Sequence, residues 1–133
     1  MDVQPYLFFD GRCEEAMAFY QQALGAKQIM MMRFKDAPDQ SMVPPGGGER
    51  VMHARLDIGG SALLLSDGSG QGQSTFQGFA LTITAADPAD AKRIFNALAD
   101  GGQVRMPLDK TFFSPAFGML ADRFGVSWMV YVA

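Results

Sequence analysis

FFSPAFGMLADRFGVSWMVYV, residues Phe112–Val132, reads as two strands joined by a tight turn. An apolar run closes on Asp122-Arg123-Phe124-Gly125, and Val126–Val132 follows, rich in β-branched and aromatic side chains. Gly125 supplies the positive φ that a hairpin turn needs. The second run is expected to be the last strand of a sheet rather than a loose tail. Immediately upstream, Gln103–Asp109 is expected to be a strand. Before it, Asp87-Pro88 marks a helix start, with aspartate as N-cap and proline at the first helical position. Ala91, Ile94, Phe95 and Leu98 form the apolar stripe of that helix, and Gly101-Gly102 follows its end. Phe76–Thr84 is a further strand, with Phe79, Leu81 and Ile83 alternating against Gly78, Ala80, Thr82 and Thr84.

The same order recurs earlier in the chain. Pro5–Asp10 is a short apolar strand ending at Asp10-Gly11. Cys13, Ala16, Met17, Tyr20 and Leu24 recur at helical spacing, with Gly25 placed to end the helix. Gln28–Lys35 is a methionine-rich strand, and Asp36–Gly48 is a long turn-prone loop. Val51–Ile58 alternates, with Met52, Ala54, Leu56 and Ile58 on one face and His53, Arg55 and Asp57 on the other. Gly59-Gly60 turns the chain into Ser61–Asp67. Strand, helix, strand, strand, strand therefore appears twice, an internal duplication. The expected fold class is α+β: two βαβββ modules, residues 1–67 and 75–133, forming a cupped mixed sheet with helices on its outer face. The glycine-rich stretch 68–74 is the linker.

Hydrophobic residues make up 48% and charged residues 19%, a composition that supports one folded core rather than a disordered chain. The net charge of −3, with both signs mixed along the sequence, offers neither a basic stripe for nucleic acid nor a polybasic membrane patch. No apolar run reaches the length of a membrane span, and the N-terminal residues lack signal-peptide character, so a cytoplasmic protein is expected. Cys13 is the single cysteine, which leaves no internal disulfide. Glu14 and Glu15 beside it would raise its thiol pKa, favouring a buried structural role over that of a nucleophile.

Phe8-Phe9-Asp10-Gly11, Glu14-Glu15-Ala16, Phe19-Tyr20, Leu24-Gly25, His53-Ala54, Ser66-Asp67 and Phe117-Gly118-Met119 through Asp122–Val126 to Trp128-Met129-Val130 resemble the PhnB-like branch of the vicinal oxygen chelate superfamily. That superfamily includes glyoxalase I, extradiol dioxygenases, and fosfomycin and bleomycin resistance proteins. The resemblance spans essentially the whole chain. It implies modules curled into cups and a homodimer in which a second chain completes them. The branch is often labelled a demethylubiquinone methyltransferase, a name that the resemblance alone does not transfer. Glyoxalase-type members hold a metal through His or Gln on the first strand of each module and Glu near the end of each. Here those positions fall on Pro5, on Leu64 or a neighbour, on Gly78 and on Met129, none of which is a family-type ligand. With His53 the single histidine, no histidine pair is possible in one subunit. No metal and no cofactor are expected.

His53 is the candidate acid or base near neutral pH, with a carboxylate such as Asp57 or Asp67 to orient it. Arg55 and Asp57 share its strand face as expected ligand contacts, and Arg105 and Arg123 are candidate anion clamps. Phe113, with Phe112 and Phe117, is a candidate aromatic wall. By the ligand-position alignment Met129 and Tyr131 face the cup, which leaves Trp128 structural; Phe9 and Thr82 complete the expected lining. Each has a bland reading as core packing, solvated charge or dimer contact. Asp67–Gly72 could be a phosphate or methyl-donor loop, but no helix and no lysine follow it directly, and that reading is rejected. The leading expectation is a metal-independent small-molecule binding protein. The alternatives are a lyase or isomerase using His53 for proton transfer, and a structural module with a filled cup.

Overall fold

The computed structural model describes residues 1–43, 45–68 and 74–133, so most of the expected linker lies outside the described residues, as does part of the Asp67–Gly72 stretch. The chain divides into two units, Met1–Ser74 and Thr75–Ala133.

In the first unit, β1 (Tyr6–Phe8) leads into α1 (Cys13–Leu24), followed by β2 (Lys27–Arg33), β3 (Val51–Ile58) and β4 (Ser61–Ser66). The sheet order is β1-β4-β3-β2, with β1 parallel to β4 and the other pairs antiparallel. Helix α1 buries Cys13, Ala16, Met17, Phe19, Tyr20 and Ala23 and packs on β2 and β3. The sheet meets it with Leu7, Ala54, Leu56, Leu63 and Leu65, all buried. Gly25 ends the helix at φ 67°, in the left-handed region that glycine enters without a Cβ clash. The strand expected over Gln28–Lys35 ends at Arg33, because a single turn of tighter helix, Phe34–Asp36, takes over its last two residues, and a second such turn, Gln40–Met42, lies within the expected loop.

The second unit repeats this plan: β5 (Leu81–Ala85), α2 (Pro88–Ala99), β6 (Gln103–Asp109), β7 (Phe117–Ala121) and β8 (Ser127–Val132). Its order, β5-β8-β7-β6, matches the first, and β5 runs parallel to β8. The fold is therefore α+β, with the described strands in two four-stranded mixed sheets rather than one. Asp87 caps α2, accepting from the Asp90 N–H at 2.8 Å. Ala91, Ile94, Phe95 and Leu98 are its buried stripe. The hairpin turn between β7 and β8 has Gly125 at φ 87°. Asp122 organises the same turn, its carboxylate accepting from the N–H groups of Phe124 (2.9 Å) and Val126 (3.1 Å) and from Trp128 Nε1 (2.9 Å).

Two strands are shorter than the sequence pattern suggests. β1 covers Tyr6–Phe8 rather than Pro5–Asp10 because its ladder with β4 ends at the Phe8–Ser66 pair. β5 starts at Leu81 rather than Phe76: its ladder begins opposite Trp128, and Gly78 at φ 83° interrupts the extended run before it. Among the described residues no helix is long and apolar enough to cross a membrane.

Candidate functional site

Each sheet buries one face under its helix and leaves the other open. On β3 the open face presents His53, Arg55 and Asp57, as the alternation predicts. The ladder sets Met32 opposite His53, Met30 and Leu64 opposite Arg55, and Lys27 and Ala62 opposite Asp57. β1 adds Tyr6, which pairs with Leu64. The Tyr6 hydroxyl lies 3.0 Å from His53 Nδ1, and the two rings stack with centroids 5.6 Å apart and planes at 27°. Phe8, two residues along β1 on the same face, sits 4.9 Å from the Tyr6 ring and is 51% exposed. Phe8, Tyr6 and His53 therefore form a series of three rings, with Arg55 next to it.

Sequence reasoning expected a carboxylate to orient His53; the structure supplies Tyr6 instead. Asp67 cannot serve, because it is buried and its oxygens are already committed. Oδ1 accepts from the N–H groups of Gly11 (2.7 Å) and Cys13 (2.9 Å), and Oδ2 from that of Val51 (2.9 Å). Arg12, the residue before α1, offers no side-chain cap, so Asp67 satisfies the helix start from the far end of β4. Phe9 also lies in the interior, 4% exposed with its ring against Tyr20 of α1, so it does not line the open face. Burial, together with the negative charges of Asp67 and Glu14, pushes the Cys13 thiol far up from its ordinary value.

The open face of the second sheet has a different character. Thr82 pairs with Met129, Met129 with Met119, and Tyr131 with Thr84 and Phe117. Phe113 packs edge-on against Phe117, ring centroids 5.1 Å apart, and Phe112 against Phe113. Arg105 reaches from β6 to donate to Ser127 Oγ at 2.9 Å. Arg123 pairs with Asp100. Trp128 points inward and is 3% exposed.

The sequence-selected residues thus divide into a polar set on the first sheet (His53, Arg55, Asp57), an apolar and hydroxyl set on the second (Thr82, Met129, Tyr131, with Arg105 and Phe113), and two interior residues. A metal of the glyoxalase kind needs several imidazole or carboxylate donors around one point. Among the described residues no three of His, Cys, Asp or Glu come together in that way, so the side chains present do not fit such an ion.

The family model described as 3-demethylubiquinone-9 3-methyltransferase matches residues 1–131. Protein YjdN of Escherichia coli (strain K12) is 35% identical over 140 residues, an alignment that takes in 99% of this chain and 95% of that protein. The crystal structure of PA1353 from Pseudomonas aeruginosa is 41% identical, with a TM-score of 0.89 over 99% of this chain and 97% of that one. The PhnB protein of Bacillus cereus is 30% identical, with a TM-score of 0.84 and full coverage of both chains (100% and 100%). At 15% identity, a glyoxylase/bleomycin resistance protein/dioxygenase domain from Frankia sp. EAN1pec shares the fold, with a TM-score of 0.71 over 98% of this chain and 94% of that one.

Proposed function

The chain belongs to the 3-demethylubiquinone-9 3-methyltransferase family and has the glyoxalase/bleomycin resistance fold, and we propose that it is a metal-independent small-molecule binding protein. In this reading the open face of the first sheet holds an apolar or aromatic ligand, with His53 and Arg55 as polar anchors. The Tyr6–His53 pair is the observation that carries it. A hydrogen bond and a ring stack fix the imidazole on an otherwise open sheet face, and Phe8 extends the aromatic surface. Such an arrangement gives a planar ligand contact area at little cost in ordering side chains.

Methyl transfer, the activity in the family's description, needs a methyl-donor site. Among the described residues, the element that follows Asp67 is the strand β5 rather than a helix of the kind that a glycine-rich methyl-donor turn opens. We therefore favour binding over that activity. A second reading follows from the same hydrogen bond. With Nδ1 engaged by Tyr6, Nε2 is the nitrogen available to move a proton on a bound ligand, as in a lyase or isomerase. It predicts a pH-dependent turnover that His53→Ala abolishes.

A homodimer and a cytoplasmic location belong to the proposal. Phe112 and Phe113 are 100% and 55% exposed, an apolar surface of the kind a second copy covers. The lone buried Cys13 has no need of an oxidising compartment. The binding reading is tested by the double variant His53→Ala with Arg55→Ala. Affinity for any co-purifying small molecule is expected to fall at least about tenfold, the scale of losing one charge-assisted contact. Unchanged affinity would sink it.

A further inference from the structure

We propose that the ligand of the first sheet's open face is a planar aromatic carboxylate, its ring on the Phe8, Tyr6 and His53 series and its carboxylate held by Arg55; this rests on the binding reading above. The argument starts from how the arginines are used. Arg12 pairs with Glu15 (2.9 Å), Arg33 with Glu14 (2.7 Å), Arg50 with Asp10 (3.1 Å), Arg93 with Asp90 (2.7 Å) and Arg123 with Asp100 (3.2 Å). Arg105 donates to Ser127. Arg55 alone has no hydrogen-bond or ion-pair partner among the described residues.

The ladder explains why Arg55 is left over. Its cross-strand neighbours, Met30 and Leu64, carry no charge. Asp57, on the same strand face, stands opposite Lys27 and does not ion-pair with Arg55. The guanidinium is thus an uncompensated fork of donors on an apolar row, and its geometry matches a carboxylate through paired hydrogen bonds. His53 and Arg55 are alternate residues of β3, about 7 Å apart along the strand. Tyr6, Leu64 and Arg55 form one row across three strands, which separates the Tyr6 and Arg55 backbones by about 10 Å. A ring resting on Tyr6 and His53 therefore places an attached carboxylate within reach of the arginine's flexible stem. A neutral aromatic ligand would leave Arg55 unused, and a small inorganic anion would leave the ring series unused.

Because His53 is the single histidine, its ring signals report this face without ambiguity in an NMR titration of the full chain. The probes are 2-naphthoate and its uncharged counterpart 2-naphthamide. Both are expected to shift the His53 ring signals, with the carboxylate binding about fivefold more tightly, the upper range for a charge-assisted pair at an exposed site. That preference is expected to vanish in Arg55→Gln and to survive in part in Arg55→Lys. Equal affinities in the natural protein, or a preference that persists in Arg55→Gln, would overturn the carboxylate assignment and leave the binding reading standing. If neither probe moves the His53 signals, both fall.

Discussion

His53 owes its orientation to Tyr6. When the phenol donates to Nδ1, the proton of the neutral ring resides on Nε2, which is then a donor. Nitrogen-15 NMR of the neutral ring is expected to show one tautomer in the natural protein and a mixture in Tyr6→Phe; an unchanged ratio would contradict the pairing. Sequence reading found His53, Arg55 and Asp57 because alternation along one strand is a local signal. It missed Tyr6 because the partners are 47 residues apart and meet only through the parallel pairing of β1 with β4. Cys13 behaves in the opposite way. Burial holds its thiol neutral, and the nearby carboxylates of Asp67 and Glu14 add to the effect. The folded pKa is raised above the ordinary 9.0, so the stability gained from a neutral thiol is complete below 9.0 and declines as pH rises above it. Thiol-reactive reagents at pH 8 should label Cys13 only under unfolding conditions, and rapid labelling of the native protein would show the burial to be transient.

Among the elements, α1 depends on a residue far outside itself. Its first turn is satisfied by Asp67, which also accepts from Val51 at the start of β3 and so ties helix, β3 and β4 together. Asp67→Ala removes three hydrogen bonds to a carboxylate and leaves their N–H donors unmet, at a cost of about 3 kcal/mol or more. Urea unfolding checks this, and a loss under about 1 kcal/mol would mean that water replaces the carboxylate without penalty. The Ser66-Asp67 pair stood out in the sequence, but its acidic residue read equally well as part of a site. Only the tertiary fold reveals that both oxygens are spent. Helix α2 was easier to read, because Asp87, Pro88 and the apolar stripe all lie within a few turns of one another. The limits of β5 were not legible, since they are set by where β8 begins to pair. Gly118 was equally opaque: a Cβ there would come within 2.7 Å of the Phe95 ring, a constraint created by α2 packing on β7.

At the scale of the whole molecule, one plan serves two chemistries. The two sheets repeat the same strand order, a duplication visible in the sequence as recurring strand, helix and glycine signals. Their open faces have diverged, the first towards His53, Arg55 and Asp57 and the second towards Met119, Met129, Phe117 and Tyr131. Alternation fixes which residues share a face, but the sequence pattern is silent on which of those side chains find partners. Arg55 is the clearest example, exposed by its strand position yet distinguished from the other arginines only by what surrounds it. The account's central claim, metal-independent binding on the first sheet, is tested most directly by native mass spectrometry of protein purified without chelator. The predicted result is a metal-free species carrying a small molecule, which is lost from the His53→Ala, Arg55→Ala double variant. A stoichiometric divalent ion, or a small molecule retained equally by the variant, would contradict it.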